Sequence, residues 1–183
     1  AGLAGHLEVV WLPANLHNRP ERIAPAVAEA LDALADRPVF VAYADCGTGG
    51  ALDAVLAHHP DVRRLPGAHC YEVFAGSATF AALCEAEPGT FHLTDFLARH
   101  FDALVWSGLG LDRHPELRQT YFAHYRRLVH LDQAGDPAVV EMARSAADRL
   151  GLEFHHVPTG RDGLAAPLLA GLGELGVPVE IGS

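Results

Sequence analysis

Two cysteines lie in sequence contexts that suit thiol chemistry. Cys46 precedes the glycines Gly47 and Gly49, and Cys70 follows His69. Each cysteine comes shortly after an apolar run and opens a predicted helix. In a parallel α/β sheet, the segments that leave the carboxyl ends of the strands form the ligand-binding crevice. A helix N-terminus also lowers the pKa of a thiol, so a cysteine at this position is placed to react or to bind metal.

Thiolate and imidazole ligands together suit zinc, and several thiolates suit an iron–sulfur cluster. We therefore predict Cys46, Cys70 and His69 as metal ligands. The two cysteines do not have zinc-finger spacing, so the fold has to bring them together. Cys84 ends the apolar run 80–84, where a small thiol is typical of core packing.

The glycine-rich turn around Cys46 can bring its backbone close to a ligand. We predict that Asp45, Gly47 and Gly49 contact a small ligand there. The run Cys-Gly-Thr-Gly-Gly lacks the third correctly spaced glycine of the dinucleotide fingerprint, and no lysine follows it as a P-loop requires. The motif therefore does not support nucleotide binding.

Strands and helices alternate along the chain, as the hydrophobic pattern indicates. We predict strands at 7–12, 39–43, 62–65, 90–93, 127–131 and 152–157, and helices at 21–35, 52–57, 69–85, 94–104, 115–125, 137–150 and 164–175. This alternation predicts a single α/β domain over residues 1–183, with a mostly parallel sheet, helices on both faces and a Rossmann-like or flavodoxin-like arrangement.

Short polar or thiol-bearing residues follow the predicted strands and are expected to meet at one edge of the sheet. They are Asn15, His17, Asn18, Asp45, Cys46, His69, Cys70, Asp132 and Thr159. We select His17 and Asn18 as further ligand-binding residues. The alternative is that such residues serve only as helix caps and turn formers.

The amino-acid composition disfavours some classes of binding partner. The 183 residues carry a formal net charge of −10, which disfavours nucleic acid and anionic membranes, because both are bound by clustered basic residues. No apolar run approaches the length of a membrane span. Three cysteines are an odd number, which favours reduced thiols, and we expect a cytoplasmic protein with a small-molecule ligand. The chain begins with alanine, so we expect that an N-terminal segment precedes it.

Five ordered motifs carry a family resemblance: Leu16–Glu21, Asp45–Gly47, Pro66–Cys70, Ala75–Ser77 and Pro88–Thr94. Together they make the chain similar to the uncharacterised bacterial and archaeal proteins grouped as domain of unknown function 1638. Members usually also carry an Ala-Cys-Gly motif after a first strand, of which residues 1–4 are at most a remnant here. The resemblance implies a connection with corrinoid-dependent methyltransferases and one-carbon metabolism.

Three functions agree with these residues. The protein is a metal-binding protein or enzyme, with zinc or an iron–sulfur cluster at Cys46 and Cys70. Alternatively, it is a non-catalytic partner of a corrinoid methyltransferase that holds a small ligand. In a third hypothesis Cys46 is a nucleophile, with His17 or His69 as its base.

Overall fold

The computed structural model describes residues 8–34 and 37–174, without the side chain of His17. It divides the chain into two compact units. The first unit comprises Ala1–Cys70 and Leu164–Ser183, and the second comprises Tyr71–Gly163. Each unit has a parallel sheet and a hydrophobic core of its own.

The first unit places helices beside a short sheet. Its elements are two 3-10 helices at Ala14–Asn18 and Pro20–Arg22, α1 (Ile23–Ala33), β1 (Phe40–Val41), α2 (Ala51–Leu56) and β2 (Arg63–Arg64). Ile23, Val27 and Leu31 follow one another at intervals of four residues, so α1 buries a single face. That face packs with Val41 and Leu52 in the first core.

The second unit is built on three longer strands. They are β3 (Thr90–Thr94), β4 (Arg127–Asp132) and β5 (Glu153–Pro158), with α3 (Cys70–Ala75), α4 (Ser77–Ala86), α5 (Asp95–Arg99), a π-helix at Asp102–Trp106, α6 (Leu117–Tyr121) and α7 (Pro137–Leu150). The chain enters this unit within α3 and leaves it within α8 (Asp162–Glu174).

The three-stranded sheet has β4 in the middle and is parallel throughout. His130 on β4 is in register with Leu93 on β3 and with His156 on β5. Helix α7 covers this sheet because its apolar side chains, such as Val139 and Ala143, are fully buried. Its ends follow from local chemistry: the Asp136 side chain accepts a hydrogen bond from the Ala138 N–H at 3.0 Å, and Gly151 ends the helix at a φ of 75°.

The predicted α/β class with parallel sheets is confirmed. The paired strands of the described residues form two sheets, where the sequence predicted one. The first predicted strand is wrong over 8–12, which has irregular structure. Trp11 in this stretch is 86% exposed, and a strand needs a neighbouring strand for its backbone hydrogen bonds.

Two predicted helices are interrupted. The helix predicted over 69–85 is divided at Gly76, whose φ of 79° and ψ of 141° are not helical. The helix predicted over 94–104 becomes α5 followed by the π-helix. Among the helices of the described residues, none is both long and apolar enough to cross a bilayer.

Candidate functional site

Cys46 lies in the turn that follows β1, and backbone hydrogen bonds fix its position. The N–H of Asp45 donates to the Gly67 carbonyl at 3.1 Å, and the N–H of Cys46 donates to the Ala68 carbonyl at 2.8 Å. These bonds join the segment that follows β1 to the segment that follows β2. The segments leading to Cys46 and to Cys70 therefore run side by side.

The structure brings Cys46 and Cys70 into direct contact. The Cys46 sulfur accepts hydrogen bonds from the side chain and from the backbone N–H of Cys70, and these bonds outweigh burial and lower the pKa of Cys46 to about 7. Tyr43 lies beside both thiols, and burial together with their negative charge raises its pKa. Cys46 is therefore substantially ionised near neutral pH, which is the form that attacks electrophiles or binds metal.

The turn around Cys46 has an unusual backbone. Among the described residues other than glycine, Cys46 alone has a positive φ, of 49°. Such conformations cost about 1–3 kcal/mol and persist where surrounding contacts impose them. Here the Asp45 carboxylate imposes the turn, because it accepts hydrogen bonds from the Thr48 hydroxyl at 2.6 Å, the Gly49 N–H at 3.1 Å and the Gly50 N–H at 3.0 Å.

The loop residues predicted to bind a ligand have structural functions in this turn. The Thr48 hydroxyl, followed by the N–H of Gly50, lowers the pKa of the Asp45 carboxyl. Gly47 has a φ of 83°, and a Cβ there would lie 3.5 Å from Pro20 Cβ. Gly49 has a φ of 62° and open space around its Cα. Ligand binding by Asp45, Gly47 and Gly49 stays a prediction.

The other predicted site residues are less closely grouped. His69 is exposed beside Cys70. Among the described residues, no cluster of three metal-ligand atoms includes a cysteine, so the structure does not bring His69 into a three-ligand set with the two thiols. Asn18 is half-buried at the end of a 3-10 helix, and the predicted ligand role of the His17 side chain lies outside the described residues. Cys84 is half-buried on α4, a helix with no fully buried side chain, so the prediction that it packs in the core is wrong.

A second polar cluster lies in the second unit at the carboxyl end of its sheet. Asp95 directly follows β3, His130 and Asp132 lie on β4, and His156 lies on β5. The register and the two-residue period of strands place these four residues on one face of the sheet. One donor atom from each of Asp95, His130 and Asp132 lies within 4.8 Å of the other two.

Two histidine–carboxylate pairs connect this cluster. His130 Nε2 and Asp95 Oδ1 are 2.9 Å apart, and His156 Nε2 and Asp132 Oδ2 are also 2.9 Å apart. The two imidazole rings stack with centroids 5.8 Å apart. His130 is completely buried, whereas the side chain of His156 is 37% exposed. The cluster therefore extends from His130 in the core, on β4, to His156 at the surface, on β5.

Backbone N–H groups of the loop after β4 hold both carboxylates. The N–H of Ala134 donates to Asp95 Oδ2 at 2.9 Å, and the N–H of Gly135 donates to Asp132 Oδ1 at 2.7 Å. Burial raises the pKa of Asp132, but hydrogen bonds from His156 and Gly135 outweigh it and lower that pKa. Burial lowers the pKa of His130 against the opposing effect of Asp95. Near neutral pH, Asp132 is thus ionised and His130 is neutral.

Sequence reasoning selected Asp132 and Thr159 in this region and missed Asp95, His130 and His156. The N–H of Thr159 donates to the Asp132 carbonyl at 2.8 Å, so Thr159 supports the site through the backbone. The missed residues carry a signal, because alternate positions of a strand share a face and His130 is two residues before Asp132. That signal becomes specific only when the register with β3 and β5 is known.

Comparison with known proteins gives a family without a function. No curated protein and no solved structure matches the chain. The sequence pattern of the family described as "Protein of unknown function (DUF1638)" matches residues 11–168. This match covers most of the chain and agrees with the resemblance in the five motifs. The chain therefore belongs to the DUF1638 family.

Proposed function

We propose that this protein binds a thiophilic metal ion through Cys46 and Cys70. The observation that carries the proposal is the hydrogen-bonded contact between two sulfurs that lie 24 positions apart in the sequence. The contact lowers the pKa of Cys46 to about 7, so about half of this thiol is already ionised at neutral pH and a metal ion displaces fewer protons from it than from an ordinary cysteine. Thiolates are the preferred ligands of zinc and of iron in clusters.

Zinc fits the donors better than a four-thiolate cluster. The sequence contains three cysteines, so a cluster with four thiolates needs a ligand from outside these residues. A tetrahedral zinc ion with two thiolates accepts imidazole, carboxylate or water at its remaining positions. His69 and His17 are the imidazoles that we propose for this role; the His69 side chain has to rotate toward the thiols to bind, because it forms no three-ligand set with them in the described residues. Asn18, Asp45, Gly47 and Gly49 are the residues that we propose to contact a small ligand.

The proposal also includes the metabolic process in which the metal site would act. Family membership, through the resemblance described above, favours a role in corrinoid-dependent methyl transfer in the cytoplasm. In this setting the metal centre acts on, or holds, a small molecule for a methyltransferase partner. A bound zinc ion would supply Lewis-acid or thiolate-alkylation chemistry.

A second candidate function is nucleophilic catalysis by Cys46. Its specific support is the positive φ of this residue together with its lowered pKa, because strained backbone and activated nucleophiles both concentrate at active sites. In this case Cys70 stabilises the thiolate and no metal is required.

Metal analysis of anaerobically purified protein tests the proposal, with Cys46→Ser, Cys70→Ser and Cys84→Ser as matched variants. We expect the metal content of Cys46→Ser and of Cys70→Ser to be lower by about one zinc or iron centre per chain than that of the wild type and of Cys84→Ser. Brown colour assigns a cluster and colourless zinc protein assigns a mononuclear site. Metal-free wild type, or an equal metal content in Cys46→Ser and in the wild type, contradicts the proposal. Stoichiometric alkylation of Cys46 in metal-free protein supports the nucleophile instead.

A further inference from the structure

We propose that Asp95, His130 and Asp132 form a second metal site, of different chemistry from the thiol pair, for a divalent transition-metal ion such as Mn²⁺, Fe²⁺ or Zn²⁺. The site lies wholly within the second unit, at the carboxyl end of β3 and β4. Ligand sites of parallel sheets occur at this end of the strands. The proposal does not depend on the cysteines.

The spacing of the donor atoms fits a metal ion. Two ligands bound at about 2.1 Å and roughly at right angles lie about 3 Å apart. The separation between His130 Nε2 and Asp95 Oδ1 is 2.9 Å. The third donor, from Asp132, lies within 4.8 Å of both, which is within reach of the same ion after small side-chain rotations.

The charge of the cluster favours a cation. The side chains of Asp95 and Asp132 are 13% and 3% exposed. In the part of the chain that the structure describes, their ion-pair partners are histidines and no arginine reaches either carboxylate. Two buried carboxylates this close repel each other unless a positive charge lies between them. A divalent ion supplies that charge.

His130 supplies a second, independent indication. It is completely buried on the central strand, and its Nδ1 has no hydrogen-bond partner among the described residues. An orphaned nitrogen in the core costs stability without adding packing. The other ring nitrogen, Nε2, is directed at Asp95 Oδ1, 2.9 Å away, so the histidine is kept in the core for what Nε2 binds. A metal ion shared by Nε2 and the Asp95 carboxylate would offset the cost of the unpartnered Nδ1.

The surrounding groups prepare the donors for an ion. Each carboxylate has one oxygen held by backbone N–H groups of Ala134 or Gly135 and directs its other oxygen to an imidazole. Supporting bonds of this kind orient ligands and strengthen metal binding. Imidazole favours zinc and iron while carboxylates favour manganese, so the mixed set selects an ion of intermediate hardness. Three protein ligands leave a position open for water or substrate.

Mn²⁺ is the probe of choice because it has low affinity for thiolates. We expect a Cys46→Ser/Cys70→Ser protein to bind one Mn²⁺ per chain in an electron paramagnetic resonance titration. Asp132→Asn in that background should weaken binding by at least about tenfold. The control is Asp136→Asn, at an exposed carboxylate four residues away that pairs with Arg99 and caps α7, since asparagine caps a helix as well as aspartate. This control should bind Mn²⁺ like the parent.

A measurement without site variants locates the ion if Asp132→Asn fails to fold. In protein with ¹⁵N-labelled histidine, bound Mn²⁺ should broaden the imidazole signals of His130 and His156 far more than that of His124, an exposed residue of the same unit that precedes the amino end of β4. No binding at millimolar Mn²⁺, unchanged affinity in folded Asp132→Asn, or stronger broadening of His124 than of His130 would each overturn the proposal. None of these results depends on whether the thiol site binds metal.

Discussion

The two sites occupy the same topological place in two different sheets, yet they are built in different ways. Cys46 follows a two-residue strand, and its position depends on a loop that the Asp45 carboxylate holds together. His130 and Asp132 lie within a six-residue strand that is buried from Leu128 onward. The short pair of β1 and β2 gives little support to the turn at Cys46, so hydrogen bonds within that turn have to hold its strained backbone. The longer strands of the other sheet keep the side chains of His130 and Asp132 buried and in register. Both candidate sites thus lie at the carboxyl ends of parallel strands, but a loop holds the sulfur donors, whereas a sheet holds the oxygen and nitrogen donors.

The donor chemistry of the two regions differs as much as their construction. Sulfur at Cys46 and Cys70 suits soft ions, while oxygen and nitrogen at Asp95, His130 and Asp132 suit harder ones. The thiol pair is half-buried, and the carboxylates are almost fully buried. The two regions can therefore be distinguished by three experiments: titration with soft and with hard metal ions, hydrogen exchange, and thiol alkylation.

The largest expected difference is in metal selectivity. Replacing both Cys46 and Cys70 by serine should lower Cd²⁺ affinity by well over about tenfold and leave Mn²⁺ affinity unchanged, because Cd²⁺ prefers thiolate and Mn²⁺ prefers carboxylate. Asp132→Asn should do the reverse. Calorimetric titrations of both ions into both variants check this result. If one variant loses both ions, the two clusters do not act as separate sites.

Hydrogen exchange should show the next largest difference, because the two sheets differ in length and burial. Amides of β4, on the fully buried central strand, should exchange at least about tenfold more slowly than those of β1, which has two residues. Exchange of backbone amides followed by mass spectrometry of peptides gives both values in one experiment. Equal protection in the two strands would contradict the view that the loop, and not the strand pair, supports the thiol site.

The third prediction concerns the reactivity of the thiols. Alkylation of Cys46 by iodoacetamide should reach half its maximal rate near pH 7, because hydrogen bonds from Cys70 lower the pKa of Cys46 to about 7. The lowered value means that the reactive thiolate persists as pH falls toward neutrality. In Cys70→Ala the midpoint should rise toward the ordinary thiol pKa of about 8.5.

Cys84→Ala provides the control for this experiment, since Cys84 is on α4 in the other unit. Its removal should leave the alkylation profile of Cys46 unchanged. Mass spectrometry of the alkylated peptides separates the three thiols. A midpoint that stays near pH 7 in Cys70→Ala would assign the lowered pKa to the backbone of the turn.

The smallest expected effect is on stability and tests the loop around Cys46. Thr48→Ala removes the hydroxyl that donates to Asp45 at 2.6 Å and should lower the free energy of unfolding by about 1 kcal/mol. Thr120→Ala, at an exposed position on α6, is the matched control and should change stability by less than about 0.5 kcal/mol. Urea unfolding of both variants gives the comparison. Equal stabilities would show that the Asp45 network does not hold the turn.

The sequence by itself determined the α/β class, the parallel pairing and most of the helices. Helix α7 has the bounds that were predicted, Pro137 and Leu150, because its cap residues and apolar face are encoded locally. The segment 8–12 was predicted as a strand and is irregular, because a strand also needs a partner elsewhere in the chain.

The candidate sites, too, were predictable from the sequence only in part. Local sequence was enough to select Cys46, Cys70 and Asp132, because they follow apolar runs or lie beside a glycine-rich turn. Only the tertiary structure decided that His130 and Asp95 face Asp132, since that depends on the register of β3, β4 and β5. A shift of one residue in that register would send alternate side chains to the opposite face and separate the donors. The sequence thus identifies the residues with donor atoms, whereas their proximity in space depends on long-range strand pairing.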